Sequence, residues 1–320
     1  MKDSILICTA SGSKNHLGKI ALIDKEYDYA FGGFMGQIIP AKQMLSKFLF
    51  YILTMESYKS FIQTLTDGVN INNLRFSQLS EFVIPVPTVS EQQKIVSKLD
   101  KLFENTKKLE DIARRNLQNS KDIFNSVLNE TFRNKWEMKK LGDVCDVIAG
   151  QSPDGKYYNN NGKGLPFYQG KKEFTDKYIG CPTVWTTEIT REAKKGDILM
   201  SVRAPVGPIN FATEKICIGR GLAAIRPINE KEFSNDYLFL FLISIQDKIK
   251  GSAGAVFASI NKKQIEDILV LVPSRDEQKR IVSKLDELSL RTKELEVIYQ
   301  KKINDLAELK QSALKQAFCY

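Results

Sequence analysis

The chain has 320 residues, 42% of them hydrophobic, and carries a formal net charge of +9 with a pI near 9.1, which suits nucleic acid or another acidic partner. This length predicts about two domains, while one histidine and five scattered cysteines argue against a zinc site or a disulfide framework. The longest apolar run, 237–243, is too short to span a membrane, and without a signal peptide the expected location is the cytoplasm.

Residues 1–87 have the pattern of a mixed α/β region. The run Ile5–Cys8 predicts a buried strand, and residues 41–64 predict one helix. Its expected inward residues are Phe48, Leu49, Tyr51, Ile52 and Phe61. The polar stretch 68–75 is expected to form a loop, and His16 is interpreted as a surface residue because nothing nearby in the sequence pairs with it.

Residues 88–134 predict the first of two long helices. Thr88 and Glu91 have the spacing of a capping box, as do Ser274 and Glu277 at the start of the second helix. Apolar residues then recur at alternating steps of four and three, which predicts a heptad seam for pairing with another helix. The seam residues are Ile95, Leu99, Leu102, Thr106, Leu109 and Ala113.

Residues 135–273 predict a second globular domain. Strands are expected near 167–168, 198–202 and 222–225, and a helix is expected over 235–249. The segment 151–164, rich in asparagine and glycine, is expected to be an exposed loop.

A repeated ten-residue motif relates the two halves of the chain. Positions 91–100 and 277–286 are identical at eight of ten residues, and each copy opens a long helical pattern. In the second helix, residues 274–320, Thr292 has the position that Thr106 has in the first. The seam there consists of Ile281, Leu285, Leu288, Thr292, Leu295 and Tyr299, and then Leu306, Leu309 and Ala313. Matching seams predict that the two helices pair antiparallel. The alternative is that each helix packs only on its own domain.

The repeat extends into the domains and has one gap. Residues 197–201 resemble 3–7, with Asp197 matched to Asp3, and residues 237–241 resemble 48–52. The segment 136–196 has no counterpart, so the first domain is expected to lack about sixty residues. Unpaired strand edges and exposed apolar surface would follow from that loss. A compact alternative fold of 1–87 stays open.

Catalytic motifs have little support in this sequence. It contains no phosphate-binding glycine loop and no G-x-S-x-G nucleophile elbow. Asp154 with Glu192 and Lys194 fits the loose PD…ExK string of nucleases, which requires carboxylates that converge on a metal. Their loop and turn contexts disfavour this use.

Hydrogen-bond donors are instead concentrated in loops after predicted strands. Arginine and glutamine can read base edges, whereas lysine and backbone amides suit phosphates. Glycine beside arginine lets the main chain come close to a neighbouring backbone. The candidate DNA-contacting residues of the second domain are Gln169, Gly170, Lys171, Lys172, Ser201, Arg203, Arg220, Asn261 and Lys262. Those of the first domain are Ser11, Ser13, Lys14 and Arg75. The alternative for any one of them is solvated surface.

Four segments together resemble the specificity subunits of type I restriction-modification systems. Three are similar to motifs of their target recognition domains, and the repeated helix motif is similar to their two conserved regions. The segments are 167–171, 196–207, 218–225 and the motif at 91–100 and 277–286. The resemblance implies two α/β (α+β) target recognition domains, related by an internal pseudo-twofold repeat and joined by two long antiparallel coiled-coil helices.

The resemblance also implies a division of labour. The chain would read a bipartite site on double-stranded DNA without catalysing a reaction or binding a membrane or metal. Methyltransferase (M) and restriction (R) subunits would dock on its helices and use S-adenosylmethionine, ATP and Mg²⁺, with no cofactor in this chain. A second copy of the chain or a complementary specificity fragment is a further possible partner. The alternative functions are a metal-dependent nuclease, a structural coiled-coil adaptor and a rearranged partial specificity cassette.

Overall fold

A computed structural model describes residues 2–13, 16–28, 30–66, 73–249 and 259–318. Its contacts divide the chain into two compact units. Unit 1 comprises residues 1–118 and 296–320, and unit 2 comprises residues 119–295. Of the helices in the described residues, none combines the length and the apolar character that a membrane crossing requires.

A three-stranded antiparallel sheet forms the base of unit 1. Its strands are β1 (Ser4–Cys8), β2 (Ile20–Ile23) and β3 (Met35–Ile38). Their order is β2-β1-β3, so β1 is central. Ile5 and Ile7 of β1 are fully buried in an apolar cluster with Leu49 and Tyr58. The predicted first strand is therefore confirmed, and alternate residues place it in the core.

Three short helices complete the globular part of unit 1: α1 (Ser46–Ile52), α2 (Glu56–Thr66) and α3 (Phe76–Leu79). The single helix predicted over 41–64 is wrong, because α1 ends before Leu53. The Thr54 hydroxyl donates to the carbonyl of Tyr51 at 2.7 Å, a local bond that competes with helix continuation. The predicted inward residues of α1 are buried, whereas Phe61 in α2 is only half-buried.

Unit 2 contains three sheets. Their strands are β4 (Met138–Lys140), β5 (Cys145–Ala149), β6 (Tyr158–Asn159), β7 (Leu165–Tyr168), β8 (Trp185–Thr186), β9 (Glu192–Ala193), β10 (Ile198–Ser201), β11 (Ile209–Phe211), β12 (Ile216–Ile218), β13 (Leu222–Pro227) and β14 (Leu269–Leu271). The orders are β11-β10-β13-β5, β6-β8-β7-β12-β9 and β14-β4. The strands expected near 167, 198 and 222 are confirmed as β7, β10 and β13.

The four-stranded sheet of unit 2, β11-β10-β13-β5, is covered on both faces. Ile198 and Met200 of β10 face one apolar cluster, and Leu199 faces another. A strand buried on both sides reads as a continuous apolar run, which is why 198–200 shows no alternation. This sheet and the five-stranded sheet together carry the loops of the candidate site.

Four helices in unit 2 are short: α5 (Leu141–Val144), α6 (Asn235–Ser244), α7 (Gln246–Ile249) and α8 (Lys262–Glu266). The helix predicted over 235–249 is interrupted at Ile245. Every residue from Tyr237 to Leu242 in α6 is buried. The helix is thus surrounded by protein and not amphipathic.

The two long helices are α4 (Val89–Thr131) and α9 (Arg275–Phe318), close to the predicted limits. Within unit 1, Leu99 of α4 clusters with Leu314 of α9, and Glu110 accepts a hydrogen bond from Lys310 at 2.8 Å. Contacts that advance along α4 while they retreat along α9 make this part of the pair antiparallel. In unit 2, the end of α4 and the start of α9 share one core through Leu128 and Leu285.

The predicted seam keeps its heptad period along both helices, but only one of its two positions per heptad is well buried. Leu99, Thr106 and Ala113 of α4 are buried, as are Leu285, Thr292 and Leu306 of α9. At the other position Ile281 is buried, and Ile95, Leu102 and Leu288 are half-buried. Leu109, Leu295 and Leu309 are 43%, 38% and 45% exposed. These three leucines therefore lie at the exposed side of the seam.

The capping box predicted at the start of the first long helix is present, whereas the one predicted at the second is incomplete. The Thr88–Glu91 capping box is complete, because the Thr88 N–H donates to Glu91 and the Glu91 N–H to the Thr88 hydroxyl. At the second helix, the Glu277 N–H donates to the Ser274 hydroxyl, but the Glu277 carboxylate instead accepts from Arg280. Only half of that second box forms.

The internal repeat is also present in the structure, but the equivalent residues of the two copies differ by one position from the match made in the sequence. Asp3 has φ +60° and Gly196 has φ +88°, and each precedes the central strand of its sheet. The Leu74 N–H donates to the Thr9 carbonyl and the Ile260 N–H to that of Val202. These bonds make Asp3 the equivalent of Gly196. The match of Asp3 to Asp197 was therefore wrong by one residue.

Candidate nucleic-acid interface

Three loops of unit 2 meet at the ends of β5, β7 and β12. They comprise residues 150–152, 169–172 and 219–221, and backbone bonds join them. The Gly219 N–H donates to the Tyr168 carbonyl at 2.9 Å, and the Gly150 N–H donates to that of Leu222 at 2.9 Å. The Gly221 N–H completes the set through the Gln169 carbonyl at 3.1 Å. The loops therefore form one surface fixed by strand ends.

Glycine is required where these loops cross. A Cβ added at Gly221 would lie 2.3 Å from the Gln169 carbonyl oxygen, and one at Gly219 would lie 2.6 Å from its side-chain oxygen. Either contact is too short without a shift of the neighbouring loop. The close approach that glycine beside Arg220 permits is therefore to the adjacent protein loop.

Ser152 connects two of the predicted readers and was missed in the sequence. Its hydroxyl donates to the side-chain oxygen of Gln169 at 2.8 Å and accepts a hydrogen bond from the backbone N–H of Arg220 at 3.2 Å. The Gln169 side chain is exposed, and among the described residues its amide nitrogen has no hydrogen-bond partner. A serine two residues after Gly150 carries no motif, so only the fold reveals this role.

The loop after β10 is attached to the same surface. The Val202 N–H donates to the Gly221 carbonyl at 3.0 Å, and the Arg203 side chain is exposed. Ser201 is only 3% exposed, and its hydroxyl donates within the loop to the carbonyls of Arg203 and Pro205. The prediction that Ser201 contacts DNA is therefore wrong. Its side chain shapes the turn that presents Arg203.

The segment that starts α8 lies beside this turn. The Ile260 N–H donates to the Val202 carbonyl at 2.9 Å. Asn261 caps α8, because its side-chain oxygen accepts the Gln264 N–H at 2.9 Å. Asn261 and Lys262 are exposed, and Lys262 is 3.5 Å from the carboxylate of Glu266. The Asn261 amide nitrogen is the group left for an external partner.

The cations on this surface differ in their pairing. Among the described residues, no carboxylate forms an ion pair with the exposed Arg203, Arg220, Lys171 or Lys172. Gly170 precedes the short turn that carries the two lysines. Unpaired cations on a rigid frame suit polyanion binding, because no internal bond has to break first.

The polar side chains beneath this surface are uncharged or form ion pairs with each other. Tyr168 donates its hydroxyl to the Gly180 carbonyl at 2.9 Å, and burial raises the pKa of this tyrosine to about 12. Asp197 receives two hydrogen bonds from the Arg226 guanidinium, at 2.7 and 2.6 Å. This paired carboxylate joins β10 to β13 and is not available to a ligand.

In unit 1, the loops after β1 and before α3 lie together. The Leu74 N–H donates to the Thr9 carbonyl at 2.6 Å, next to the Ser11 loop. Ser11 is half-buried and its hydroxyl accepts the Ser13 N–H at 3.1 Å, while Ser13 and Arg75 are exposed. Lys14 lies outside the described residues. The arrangement brings Ser11, Ser13 and Arg75 to neighbouring loops.

The nuclease string does not converge. Asp154 pairs with Lys156 at 3.4 Å, whereas Glu192 lies on β9 and pairs with Lys215 at 2.9 Å. Within the described ranges, no group of three or more His, Cys, Asp or Glu residues is placed to hold a metal ion. The described residues of this surface present unpaired cations and no assembled carboxylate site.

Comparison with known proteins gives a consistent family. The model described as "Type I restriction modification DNA specificity domain" matches residues 2–117 and 133–308. A putative type I restriction enzyme MjaX specificity subunit from Methanocaldococcus jannaschii is 33% identical over 314 residues, covering 91% of this chain and 73% of that protein. The EcoKI specificity subunit of Escherichia coli K12 is 24% identical over 354 residues, covering 99% and 74%.

Two solved structures resemble the chain. One comes from a study of complex assembly and conformational transition of the type I R-M system, with a TM-score of 0.88 and 28% identity. It covers 99% of this chain and 82% of that one. The crystal structure of the HsdS subunit from Thermoanaerobacter tengcongensis has a TM-score of 0.67 and 28% identity, covering 99% and 81%.

Proposed function

The chain belongs to the type I restriction-modification DNA specificity family, and from that premise we propose how its surface reads DNA. It is a DNA sequence-specificity subunit with α/β recognition domains and long helices. The proposal is that the loops of unit 2 read one half of a bipartite duplex site. Gln169, Arg203 and Arg220 contact base edges, and Lys171 and Lys172 contact phosphates.

The observation that carries this proposal is the Ser152 bridge between Gln169 and Arg220. Ser152 fixes the Gln169 side chain and the Arg220 backbone on one surface, and the Gln169 side-chain oxygen already has a hydrogen-bond partner. Glutamine and arginine on such a surface can place donors against base acceptors in the major groove. Arg203 joins the same surface through the Val202–Gly221 backbone bond.

The helices are the proposed attachment for partner subunits. Val297 and Ile298 of α9 are 69% and 57% exposed, although valine and isoleucine are among the most often buried residues. Exposed apolar side chains on a charged helix are typical of a protein interface. Methyltransferase and restriction subunits are the proposed occupants, in keeping with the complex assembly described for the similar solved structure.

Catalysis is assigned to those partners in this proposal. S-adenosylmethionine, ATP and Mg²⁺ would serve the methyltransferase and restriction subunits, and this chain would contribute sequence recognition alone. The observation that supports this division is the use of Asp154 and Glu192 in separate ion pairs with Lys156 and Lys215.

Selection from randomised duplex DNA tests the reading function. The purified chain should enrich a defined sequence, and Arg203→Ala should change the preferred base at one position. Lys301→Ala, at an exposed lysine of α9, is the matched control and should change nothing. Enrichment of no sequence would contradict the proposed reading, and cleavage of the DNA with added Mg²⁺ would favour the nuclease alternative.

Co-purification tests the docking function separately. Val297→Lys should reduce capture of the methyltransferase subunit and leave DNA binding by the chain alone unchanged. Val83→Lys, the same substitution at a valine that is 90% exposed and lies outside α9, is the matched control and should leave capture unchanged. Unchanged capture by the Val297 variant would place the docking surface elsewhere.

A further inference from the structure

The Ser152 hydroxyl fixes which end of the Gln169 carboxamide faces the protein. Its oxygen accepts the backbone N–H of Arg220 at 3.2 Å and lies 2.8 Å from the Gln169 side-chain oxygen. A serine hydroxyl has one hydrogen, which is therefore free to be donated to Gln169. With the amide nitrogen in the place of that oxygen, Ser152 would accept two hydrogen bonds and donate none. The Gln169 oxygen is thus held as an acceptor inside the protein.

The same oxygen also lies against the main chain of Gly219. A Cβ added at Gly219 would be only 2.6 Å from the Gln169 side-chain oxygen, and Gly219 is buried. The oxygen and the nitrogen of a carboxamide diverge from one carbon atom. The nitrogen of this exposed side chain is therefore on the branch that turns away from Ser152 and Gly219.

Asn261 uses the same end of its carboxamide internally, because it caps a helix. Its side-chain oxygen accepts the Gln264 N–H at 2.9 Å, and the Gln264 side-chain oxygen accepts the Asn261 N–H at 2.9 Å. This reciprocal pair holds the Asn261 oxygen at the start of α8. The guanidinium groups of Arg203 and Arg220 carry donors only. These four side chains therefore offer donors to a partner of the surface.

Donors alone distinguish the bases of a duplex. In the major groove guanine presents two acceptors, N7 and O6, whereas adenine presents the acceptor N7 beside the donor N6–H2. Glutamine and asparagine read adenine with both ends of the carboxamide, and that mode needs the oxygen that Ser152 or the helix cap already holds. An adenine amino group that faces these donors would lose its water without gaining an acceptor. Guanine is the base that fits them.

We propose that Ser152 is a positioning residue that determines base specificity through Gln169. By holding the Gln169 oxygen, it makes unit 2 select a G·C pair at the position that Gln169 contacts and reject an A·T pair there. Ser152 acts without contacting the base itself. This inference rests on the proposed function, because it requires that Gln169 contacts a base edge.

Selection from randomised duplex DNA by the full chain tests this role. Gln169→Ala identifies the contacted position, because preference is lost there. The unchanged chain should prefer a G·C pair at that position by at least about tenfold, the scale of one matched base contact. Ser152→Ala releases the carboxamide oxygen for adenine, so an A·T pair should rise to within about threefold of the G·C pair. The backbone bonds of Gly219 and Gly221 do not involve the Ser152 side chain, so the loops should keep their fold in this variant.

Two further serine variants are the controls. Ser152→Thr keeps the hydroxyl and should keep the preference for the G·C pair. Ser283→Ala makes the same exchange as Ser152→Ala at an exposed residue of α9, outside the three loops, and should change no position.

The outcomes separate this inference from the proposed function. An A·T pair at the Gln169 position of the unchanged chain would overturn the inference and leave the reading function intact. An unaltered preference in Ser152→Ala, or an equal change in Ser152→Thr, would do the same. Enrichment of no sequence, or no position affected by Gln169→Ala, would overturn the proposed reading by Gln169 together with this inference.

Discussion

Gln92 and Gln278 make the same set of three hydrogen bonds in the two units. Gln92 accepts the Leu45 N–H at 2.8 Å and donates to the carbonyls of Gln43 and Pro87. Gln278 accepts the Ser234 N–H at 2.8 Å and donates to the carbonyls of Glu232 and Pro273. Both side chains are fully buried. The glutamine of the repeated Glu-Gln motif thus bonds each long helix to the residue that precedes a short helix of the same unit, which is α1 in unit 1 and α6 in unit 2.

Gln92→Leu should therefore destabilise unit 1. It leaves one buried N–H and two carbonyls without their partner, which costs about 1–3 kcal/mol of unfolding free energy. Urea unfolding followed by circular dichroism measures it. Gln93→Leu is the control, since Gln93 is the exposed neighbour on the same helix. Equal stability of the two variants would show that the buried bonds contribute little.

Asp197→Asn should be among the most damaging single changes in unit 2. It leaves the half-buried Arg226 guanidinium without its carboxylate, and losing these charge-assisted hydrogen bonds at the buried Asp197 position costs about 1–3 kcal/mol. Thermal unfolding of the full chain measures the loss. Glu192→Gln is the matched control, because its ion pair with Lys215 is partly exposed and worth at most about 1 kcal/mol. A loss for Asp197→Asn no larger than for the control would contradict this role.

The corrected helix seam predicts a contrast between two leucines of α9. Leu285 is fully buried and Leu290 is 62% exposed. Leu285→Asp places a charge in the core that α9 shares with Leu128, and a cost of more than about 3 kcal/mol is expected. Leu290→Asp should change stability by only about 0.5 kcal/mol. Similar values for both, measured by urea unfolding, would refute the seam described here.

Acid should weaken the contact between the helices in unit 1. Hydrogen bonds from Lys310 and Arg114 hold the pKa of Glu110 below its ordinary range. Because the pKa of Glu110 is lower in the folded chain than in the unfolded chain, its ionised carboxylate stabilises the folded chain above the unfolded-state pKa of about 4.3. This contribution is lost as the pH falls through the folded-state pKa. The stability difference between the unchanged chain and Glu110→Gln should be up to about 1 kcal/mol at neutral pH and vanish at lower pH. A difference independent of pH would exclude this carboxylate as its source.

The predicted readers and phosphate contacts should separate by salt dependence. Arg220→Ala should cost about 1–3 kcal/mol of binding free energy and relax preference at one base pair. Lys172→Ala should weaken all sequences alike and reduce the slope of log affinity against log salt by about one. Fluorescence anisotropy at several salt concentrations measures both. Identical behaviour of the two variants would mean that Arg220 contacts a phosphate.

Periodicity and repetition in the sequence determined the elements whose signal is local. The two long helices, the Thr88 capping box and the buried β1 follow from spacing and side-chain type alone. The repeated motif likewise identified the two halves and, through a resemblance, the family. The break at Thr54 was less visible, because a hydroxyl bond to a carbonyl three residues earlier competes with the helix only in its final geometry.

Tertiary structure decided everything that depends on which segments meet. Leu109 and Leu295 are exposed although they stand at heptad positions, because burial depends on which neighbouring segments cover each helix at that point. Ser152 became a bridge because strand order brings together loops far apart in sequence, whereas Ser201 became a turn-forming residue because its position at the end of a buried strand directs its hydroxyl to the carbonyls of its own loop. Neither residue carries a local pattern that distinguishes a solvated serine from a buried one. The contacts of a side chain across a sheet are set by the pairing of strands, and pairing is non-local.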